Sequence, residues 1–343
     1  MQASTPNKAI IYWLLSGAIL ILAMVVIGGI TRLTGSGLSI VEWNLIGGTL
    51  PPLSHEAWQV AFEKYKQFPE YQKLNKGMTL EGFKAIFFWE YLHRLLGRLI
   101  GMVFIVPFLY FLLTKKLTSW LFRRLLIILA LGMAQGLMGW VMVKSGLVDN
   151  PHVSHFRLAA HLTLALALIG LILWTVADLV TTRRQGTRRS SLYRPALLVL
   201  GLILVQIILG AFVAGLKAGF SYNTYPLMEG EIFPAHLHGH LGSLLQVLEN
   251  GVAMQFAHRW TAILVLLAVG WLWYRARYTV LLPDAQTLLS VLLLVCLLQV
   301  ALGIVTLVKA VPVSLGVLHQ VVAVVLFSAA LLLLHQLRHC TSR

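Results

Sequence analysis

The sequence predicts an all-α membrane protein with eight transmembrane helices, arranged as two fused, repeat-related four-helix bundles with both termini in the cytoplasm. Three observations carry this prediction: the apolar composition, the placement of the basic residues and an internal repeat. Of the 343 residues, 58% are hydrophobic and only 11% are charged. A soluble domain is not built this way, because so many apolar side chains could not all be buried in a water-facing fold.

Eight apolar segments can be placed as spans, and several of them reach the roughly 20 residues that a helix needs to cross a bilayer. They are predicted near residues 9–30, 86–113, 124–143, 156–178, 195–215, 251–274, 286–308 and 313–336. The first run is longer than the core of a signal peptide and has no small-residue cleavage pattern, so we predict an uncleaved first span. The chain is therefore predicted to be a multi-pass membrane protein.

The formal net charge of +15 indicates topology rather than nucleic-acid binding. Lys and Arg cluster in short segments between spans and form no basic face with interleaved aromatic residues. Loops after even-numbered spans hold the excess, namely Lys115, Lys116, Arg123 and Arg124, then Arg183, Arg184, Arg188, Arg189 and Arg194, then Arg275 and Arg277. The long loop of about 37–85 is mixed, so the positive-inside rule predicts that it lies outside and that both termini are cytoplasmic.

An internal repeat relates the two halves of the chain. Gly28 aligns with Gly210 at an offset of 182 positions, and His93 aligns with His258 at an offset of 165. A nearly equal offset of 164 positions relates Gln135 to Gln299 and Gly139 to Gly303. The offset is smaller after the first outer loop because that loop is longer than its counterpart in the second half. Each half, 1–180 and 181–343, is therefore predicted to hold four spans in the same orientation.

Four of the twelve histidines lie inside predicted spans: His93, His161, His258 and His319. Each falls about two turns into an even-numbered span, so all four are predicted at similar depth, two in each half. Imidazoles that face each other in a helix bundle can hold a haem iron from both sides, whereas zinc needs three or four close ligands. Four separate polar contacts between helices are the alternative.

The halves differ three residues before the first histidine of each pair, where Glu90 precedes His93 and Gln255 precedes His258. An ionisable residue inside a membrane is a functional candidate by default. A symmetric two-haem electron carrier gives no reason for this difference, whereas an enzyme with one reactive half and one helper haem does. Four arginines near the proposed ligands are candidate propionate contacts or interfacial anchors: Arg94, Arg98, Arg157 and Arg259.

Five motifs stand out along the chain: Gly28–Ser39 (GGITRLTGSGLS), Phe62–Tyr71 (FEKYKQFPEY), Glu90–Arg98 (EYLHRLLGR), Arg157–His161 (RLAAH) and Tyr222–Met228 (YNTYPLM). With these motifs the chain resembles the haem A synthase family, in its proteobacterial and mitochondrial form, over nearly its whole length. Some members carry cysteine pairs in outer loops. Here Cys296 lies in a span and Cys340 lies at the C-terminus, so no thiol role carries over.

The resemblance implies oxidation of a methyl group of haem O to a formyl group, giving haem A. It implies that His93 and His161 flank the haem O substrate in the half 1–180, with Glu90 as the catalytic carboxylate. It also implies that His258 and His319 ligate a haem b cofactor in the half 181–343. Haem O synthase and oxidase assembly factors are expected as partners at the level of the family.

Other readings of the sequence stay open. A non-catalytic dihaem b cytochrome would carry electrons through the same four histidines, and a transporter built from parallel repeats would leave the paired histidines unexplained. The predicted location is the bacterial plasma (inner) membrane, because no Arg-rich transit peptide is present, with the active site toward the periplasmic face. The sequence leaves the electron acceptor and any homo-oligomer undetermined, and it assigns no role to the loop histidines His236, His238 and His240.

Overall fold

The computed structural model describes residues 8–42, 49–147, 152–181, 189–237 and 242–338, except for the side chain of His236. The regular secondary structure of these residues is helical, apart from an isolated bridge between Met228 and Glu231. The α-helices are α1 Lys8–Leu33, α2 His55–Lys66, α3 Pro69–Lys73, α4 Leu80–Leu113, α5 Ser119–Gly146, α6 His155–Val180, α7 Tyr193–Gly215, α8 Leu244–Glu249, α9 Gly251–Ala276, α10 Pro283–Val308 and α11 Val313–Leu337. The all-α prediction is confirmed.

Eight helices in the described ranges are long and apolar enough to cross a membrane: α1, α4, α5, α6, α7, α9, α10 and α11. They coincide with the eight predicted spans, so the multi-pass prediction is also confirmed. The largest departure is α4, which begins at Leu80 rather than near residue 86. Its start is fixed by Thr79, whose side chain accepts a hydrogen bond from the backbone N–H of Gly82 and so satisfies one of the first-turn donors.

The chain forms two compact units, and the two boundaries between them fall inside helices α1 and α6. One unit contains α1 up to Ala18 and the chain from Leu166 onward. In it, α7 packs against α9 and α11, and α10 packs against the same two helices, so these four helices close into a bundle. The end of α6 joins α11 through Asp178 and His335, whose Oδ1 and Nε2 atoms lie 2.9 Å apart. The repeat halves 1–180 and 181–343 stay a prediction.

The other unit, Ile19–Ala165, contains an aromatic cluster. Its members come from the segment that connects α1 to α4 and from the beginning of α4. The buried members of this cluster are Phe62, Tyr65, Phe83 and Phe87. The Tyr65 hydroxyl donates to Glu70 at 3.1 Å and accepts from Asn75 at 2.7 Å. Helix α2 packs against α4 through this cluster, so the first eight residues of α4 are stabilised by aromatic contacts rather than by lipid.

Candidate functional site

The first pair of histidines lies in the unit Ile19–Ala165. His93 of α4 packs against Gly28 of α1, where a Cβ atom would lie 3.1 Å from the Cε1 atom of the imidazole. His161 of α6 packs in the same way against Gly139 of α5, at 3.4 Å. The two imidazoles are close enough to interact electrostatically. The His93 ring therefore occupies space that a Cβ atom at Gly28 would crowd, whereas a Cβ atom at Gly139 would only just touch the His161 ring.

The second pair lies in the unit that contains α7 and α9–α11. A Cβ atom at Gly210 would lie 3.0 Å from Cε1 of His258, and one at Gly303 would lie 2.9 Å from Cε1 of His319. The centroids of the His258 and His319 rings are 6.5 Å apart, and their planes are at 83°. Two imidazoles that bind one metal from opposite sides, through bonds of about 2 Å each, place their centroids about 6 Å apart. The second pair fits that spacing.

Three of the four histidines also have a glutamine amide at the Nε2 atom. The amide nitrogen lies 3.2 Å from Nε2 for Gln135 and His161, 3.4 Å for Gln206 and His258, and 3.4 Å for Gln299 and His319. In every case the glutamine precedes the cradling glycine by four residues. In the sequence, Gln135 and Gln299 served only as markers of the repeat. The recurring Gln-x-x-x-Gly spacing was the signal that could have assigned all three glutamines to the site.

Glu90 is buried, with 3% of its surface exposed, and both of its carboxylate oxygens accept hydrogen bonds. Its Oε2 atom accepts from the Ser39 hydroxyl at 2.8 Å and from the backbone N–H of Ile40 at 2.8 Å. Its Oε1 atom accepts from Nε of Arg94 at 3.1 Å and from Nη2 at 2.6 Å. The carboxylate therefore ties α4 to the segment that follows α1. Because Ser39 is 51 positions away, no local pattern could have revealed this contact.

Gln255 occupies the matching place in the other unit, and it contacts the matching backbone residue. Its amide nitrogen donates to the carbonyl of Tyr222 at 3.2 Å, and Tyr222 corresponds to Ile40 at the offset of 182 positions. Its Oε1 atom is buried and has no hydrogen-bond partner in the part of the chain that is described. Both units thus fasten the same segment to the helix of the first histidine, but only Glu90 does so with a negative charge.

Two of the four candidate propionate arginines hold these segments as well. Arg94 donates hydrogen bonds to the carbonyls of Ile40 and Glu42, both at 2.7 Å. Arg259 donates to the carbonyls of Tyr222 at 2.6 Å and Thr224 at 2.8 Å. The acceptors match at the offset of 182 positions. Arg98 and Arg157 lie on α4 and α6, the helices of the first pair. The guanidinium groups of Arg94 and Arg259 therefore organise backbone, which the sequence did not predict.

The remaining sequence candidates add no further metal site within the described residues. His238 and His240, together with the side chain of His236, lie outside them. Inside them, no group of three or more His, Cys, Asp or Glu side chains is arranged to hold a metal ion. Cys296 is a free, buried cysteine in α10, and Cys340 falls outside the described residues. The two histidine pairs are thus the candidate ligands for iron.

Residues 11–331 match the COX15-CtaA family, described as cytochrome oxidase assembly protein. The chain belongs to this family. The resemblance inferred from the motifs is thereby confirmed, and the match covers all eight membrane helices almost completely.

Relatives of the chain in this cytochrome oxidase assembly protein family carry the name Heme A synthase. The chain is 45% identical to the one from Nitrosomonas eutropha over 329 residues, which cover 95% of this chain and 92% of that protein. It is 46% identical to the one from Nitrosospira multiformis over 340 residues, covering 98% and 96% respectively. The protein from Parvibaculum lavamentivorans is 46% identical over 332 residues, covering 96% and 95%.

Proposed function

We propose that this chain is a haem A synthase, an oxidoreductase that converts a methyl group of haem O into a formyl group with water as the oxygen source. The near-full-length similarity to proteins named Heme A synthase carries the proposal. The two histidine pairs, each within a single compact unit, supply residues that fit two iron porphyrins. Haem O is the substrate of this reaction and haem A is its product.

The two pairs take different roles in this proposal. His93 and His161 flank haem O, because Glu90 stands three residues before His93, whereas the uncharged Gln255 takes the matching place before His258. His258 and His319 ligate a resident haem b, and their centroid separation of 6.5 Å supports that assignment. Haem b, when bound, supplies a one-electron relay toward the unidentified electron acceptor.

Glu90 acts in this proposal as a fixed negative charge. Electrons and protons leave the methyl carbon during the oxidation, so positive charge develops there, and a preorganised carboxylate stabilises such charge. To take up a proton as a base, Glu90 would have to give up one of its hydrogen bonds from Ser39, Ile40 and Arg94. The arrangement of donors therefore favours charge stabilisation over proton abstraction, the two roles that the sequence left open.

The arginines and the topology complete the proposal. Arg98 and Arg157 are proposed to meet haem propionates, and Arg94 and Arg259 to share their guanidinium groups between propionates and the loop carbonyls. The protein is placed in the bacterial inner membrane, with both termini cytoplasmic and the histidine pairs toward the periplasm. Haem O synthase and oxidase assembly factors are the expected partners.

Haem extraction from the purified protein tests the proposal. The chain is produced in a host that makes haem O and lacks its own haem A synthase, and the extracted haems are separated by chromatography. We expect haem b together with haem O and haem A in the protein, and haem A in the membranes. Haem b as the sole haem would instead identify a dihaem cytochrome and refute the synthase.

Two substitutions of Glu90 separate its charge from its anchoring contact. Glu90→Ala removes both, whereas Glu90→Gln removes the charge and installs the residue found at the matching position, Gln255. Both variants are expected to bind haem O and to lose conversion by roughly 100-fold, the usual cost of removing one preorganised electrostatic contact. Haem A production at the wild-type level in Glu90→Ala would exclude Glu90 from catalysis, and normal production in Glu90→Gln alone would reduce its role to anchoring.

A further inference from the structure

A cavity of about 380 Å³ lies at the start of α7, away from the second histidine pair. It is lined by Arg189, Ser190, Ser191, Tyr193 and Arg194. Gly210, which faces His258, comes 16 positions after Arg194 on the same helix, or about 24 Å away at 1.5 Å per residue. The cavity is therefore separate from the proposed haem b site, and no step of the proposed reaction uses it.

The turn that forms the cavity is held in place by hydrogen bonds and by a ring contact. The backbone N–H of Ser190 donates to the carbonyl of Leu337 on α11 at 3.0 Å, and that of Tyr193 donates to the carbonyl of Ser190 at 3.0 Å. The Arg189 guanidinium stacks over the Tyr193 ring, with its Cζ atom 4.7 Å from the ring centroid. This cation–π contact orients the guanidinium before any ligand arrives, which lowers the entropy cost of binding.

The lining offers positive charge and hydrogen-bond donors. Neither Arg189 nor Arg194 forms an ion pair with a carboxylate among the residues that the structure describes. The Oγ atom of Ser190 accepts from the backbone N–H of Leu192 at 3.3 Å, so the hydrogen of this hydroxyl stays available to a ligand. Guanidinium groups bind phosphate oxygens through two parallel hydrogen bonds. The lining therefore suits a phosphate group.

The surface of α7 next to the cavity continues as an apolar stripe. Arg194 is followed at spacings of four, three and four positions by Leu198, Gly201 and Val205, and all four residues are exposed. Residues at this spacing share one face of a helix. Because α7 is long and apolar enough to cross a membrane, its first turn lies at the level of the lipid headgroups and the stripe lies among the acyl chains. A phosphate that carries hydrocarbon chains matches both parts of this surface.

We propose that the cavity binds the headgroup phosphate of an anionic phospholipid, with an acyl chain along the stripe Leu198, Gly201 and Val205. Arg189 and Arg194 pair with the phosphate, and Ser190 donates its hydroxyl. An anionic lipid is favoured over a zwitterionic one because the lining contains two guanidinium groups and no carboxylate. Basic pockets on the cytoplasmic side of membrane proteins bind such headgroups, and the basic residues of this chain predict that side for the start of α7.

Native mass spectrometry of the full-length protein, purified in detergent and freed of lipid, tests the proposal. Cardiolipin, phosphatidylglycerol, phosphatidylcholine and inorganic phosphate are titrated separately. We expect one tight site for each anionic lipid, weaker binding of phosphatidylcholine and no binding of inorganic phosphate at the same concentrations. In the double variant Arg189→Gln with Arg194→Gln, the anionic lipids should bind roughly thirtyfold more weakly, because two arginine contacts are lost.

The double variant Arg275→Gln with Arg277→Gln is the matched control, because it removes the same charge from the end of α9 in the same unit. Arg277 stacks on the Trp273 ring at 3.9 Å, and neither of these arginines lines the cavity. Lipid binding should be unchanged in the control. Equal weakening in both double variants would overturn the proposal, because it would show a general effect of charge.

The remaining outcomes are also decisive. Equally tight binding of phosphatidylcholine would refute the recognition of an anionic headgroup, and equally tight binding of inorganic phosphate would identify a site for a free anion instead. A wild-type chain that binds none of the lipids would overturn the proposal outright. If the double variant does not fold, Arg194→Gln alone changes one exposed side chain and should weaken the binding of the anionic lipids roughly fivefold; unchanged binding would exclude Arg194 and with it the proposed site.

Discussion

Gly210→Ala should disrupt the second histidine pair with a change of one methyl group. The added Cβ atom would lie 3.0 Å from Cε1 of His258, 3.6 Å from its Nδ1 atom and 3.8 Å from its Nε2 atom. Ordinary contacts between carbon atoms are about 3.5–4.0 Å long. The imidazole or the helix must therefore move by about 0.5 Å. If His258 binds iron together with His319, as proposed, the bound ring would have little room to do so.

The size of the effect follows from the cost of overpacking. Forcing one extra methyl group into a packed site costs about 1–3 kcal/mol. Under the proposed ligation by His258 and His319, most of this cost falls on the haem-bound protein, because its imidazoles are less free to move. Because about 1.4 kcal/mol corresponds to a tenfold change, haem affinity at the second pair should fall roughly tenfold to a hundredfold. The helix itself gains about 1 kcal/mol when glycine becomes alanine, so the apoprotein should stay folded.

Haem titration followed by optical and electron paramagnetic resonance spectroscopy measures whether Gly210→Ala loses the proposed haem with two histidine ligands. Gly201→Ala is the matched control, because Gly201 lies on the same helix, α7, and a Cβ atom there would have no neighbour within 4 Å. The control should bind haem as the wild type does. Equal haem affinity and spectra for the two variants would refute the reasoning that glycine makes room for the ligand.

Three further predictions concern stability. Tyr65→Phe should destabilise the aromatic cluster by about 1–3 kcal/mol, since Glu70 and Asn75 lose a buried partner; faster limited proteolysis of the α2–α4 region measures this. Burial raises the pKa of Tyr65 above its ordinary 10.0, so the contribution of this hydroxyl to stability is complete below pH 10 and declines above it. Protection against proteolysis should therefore decline above pH 10, and this decline should be smaller in Tyr65→Phe. His335→Ala removes the buried hydrogen-bond partner of Asp178 and should cost about 1–3 kcal/mol, seen as a lower Tm in detergent; an unchanged Tm would contradict the pairing.

The eight spans could be predicted because lipid requires long apolar helices, and that requirement is visible in composition alone. The start of α4 could not be predicted in this way. Residues between Leu80 and Phe87 mix charged side chains with aromatic ones, and their helix is stabilised by packing against α2 rather than by lipid. The hydropathy of a segment indicates whether it can lie in a membrane, but it does not reveal packing against another helix. The predicted span therefore began six residues after the helix does.

The site was predictable where a residue type is costly in a membrane. Glu90 and the histidine pairs could be found because buried ionisable groups require a reason. Arg94 and Arg259 were found in the same way, but their partners include backbone carbonyls that the sequence could not identify.

Helix α4 carries both part of the aromatic cluster and the candidate iron ligand His93. Its 34 residues extend about 51 Å at 1.5 Å per residue, well beyond a hydrocarbon core of about 30 Å. No glycine or proline interrupts it between Phe83 in the cluster and His93. The packing of α2 and the candidate ligand His93 therefore depend on one uninterrupted stretch of helix, so the aromatic cluster helps to set the position of the backbone that carries the imidazole.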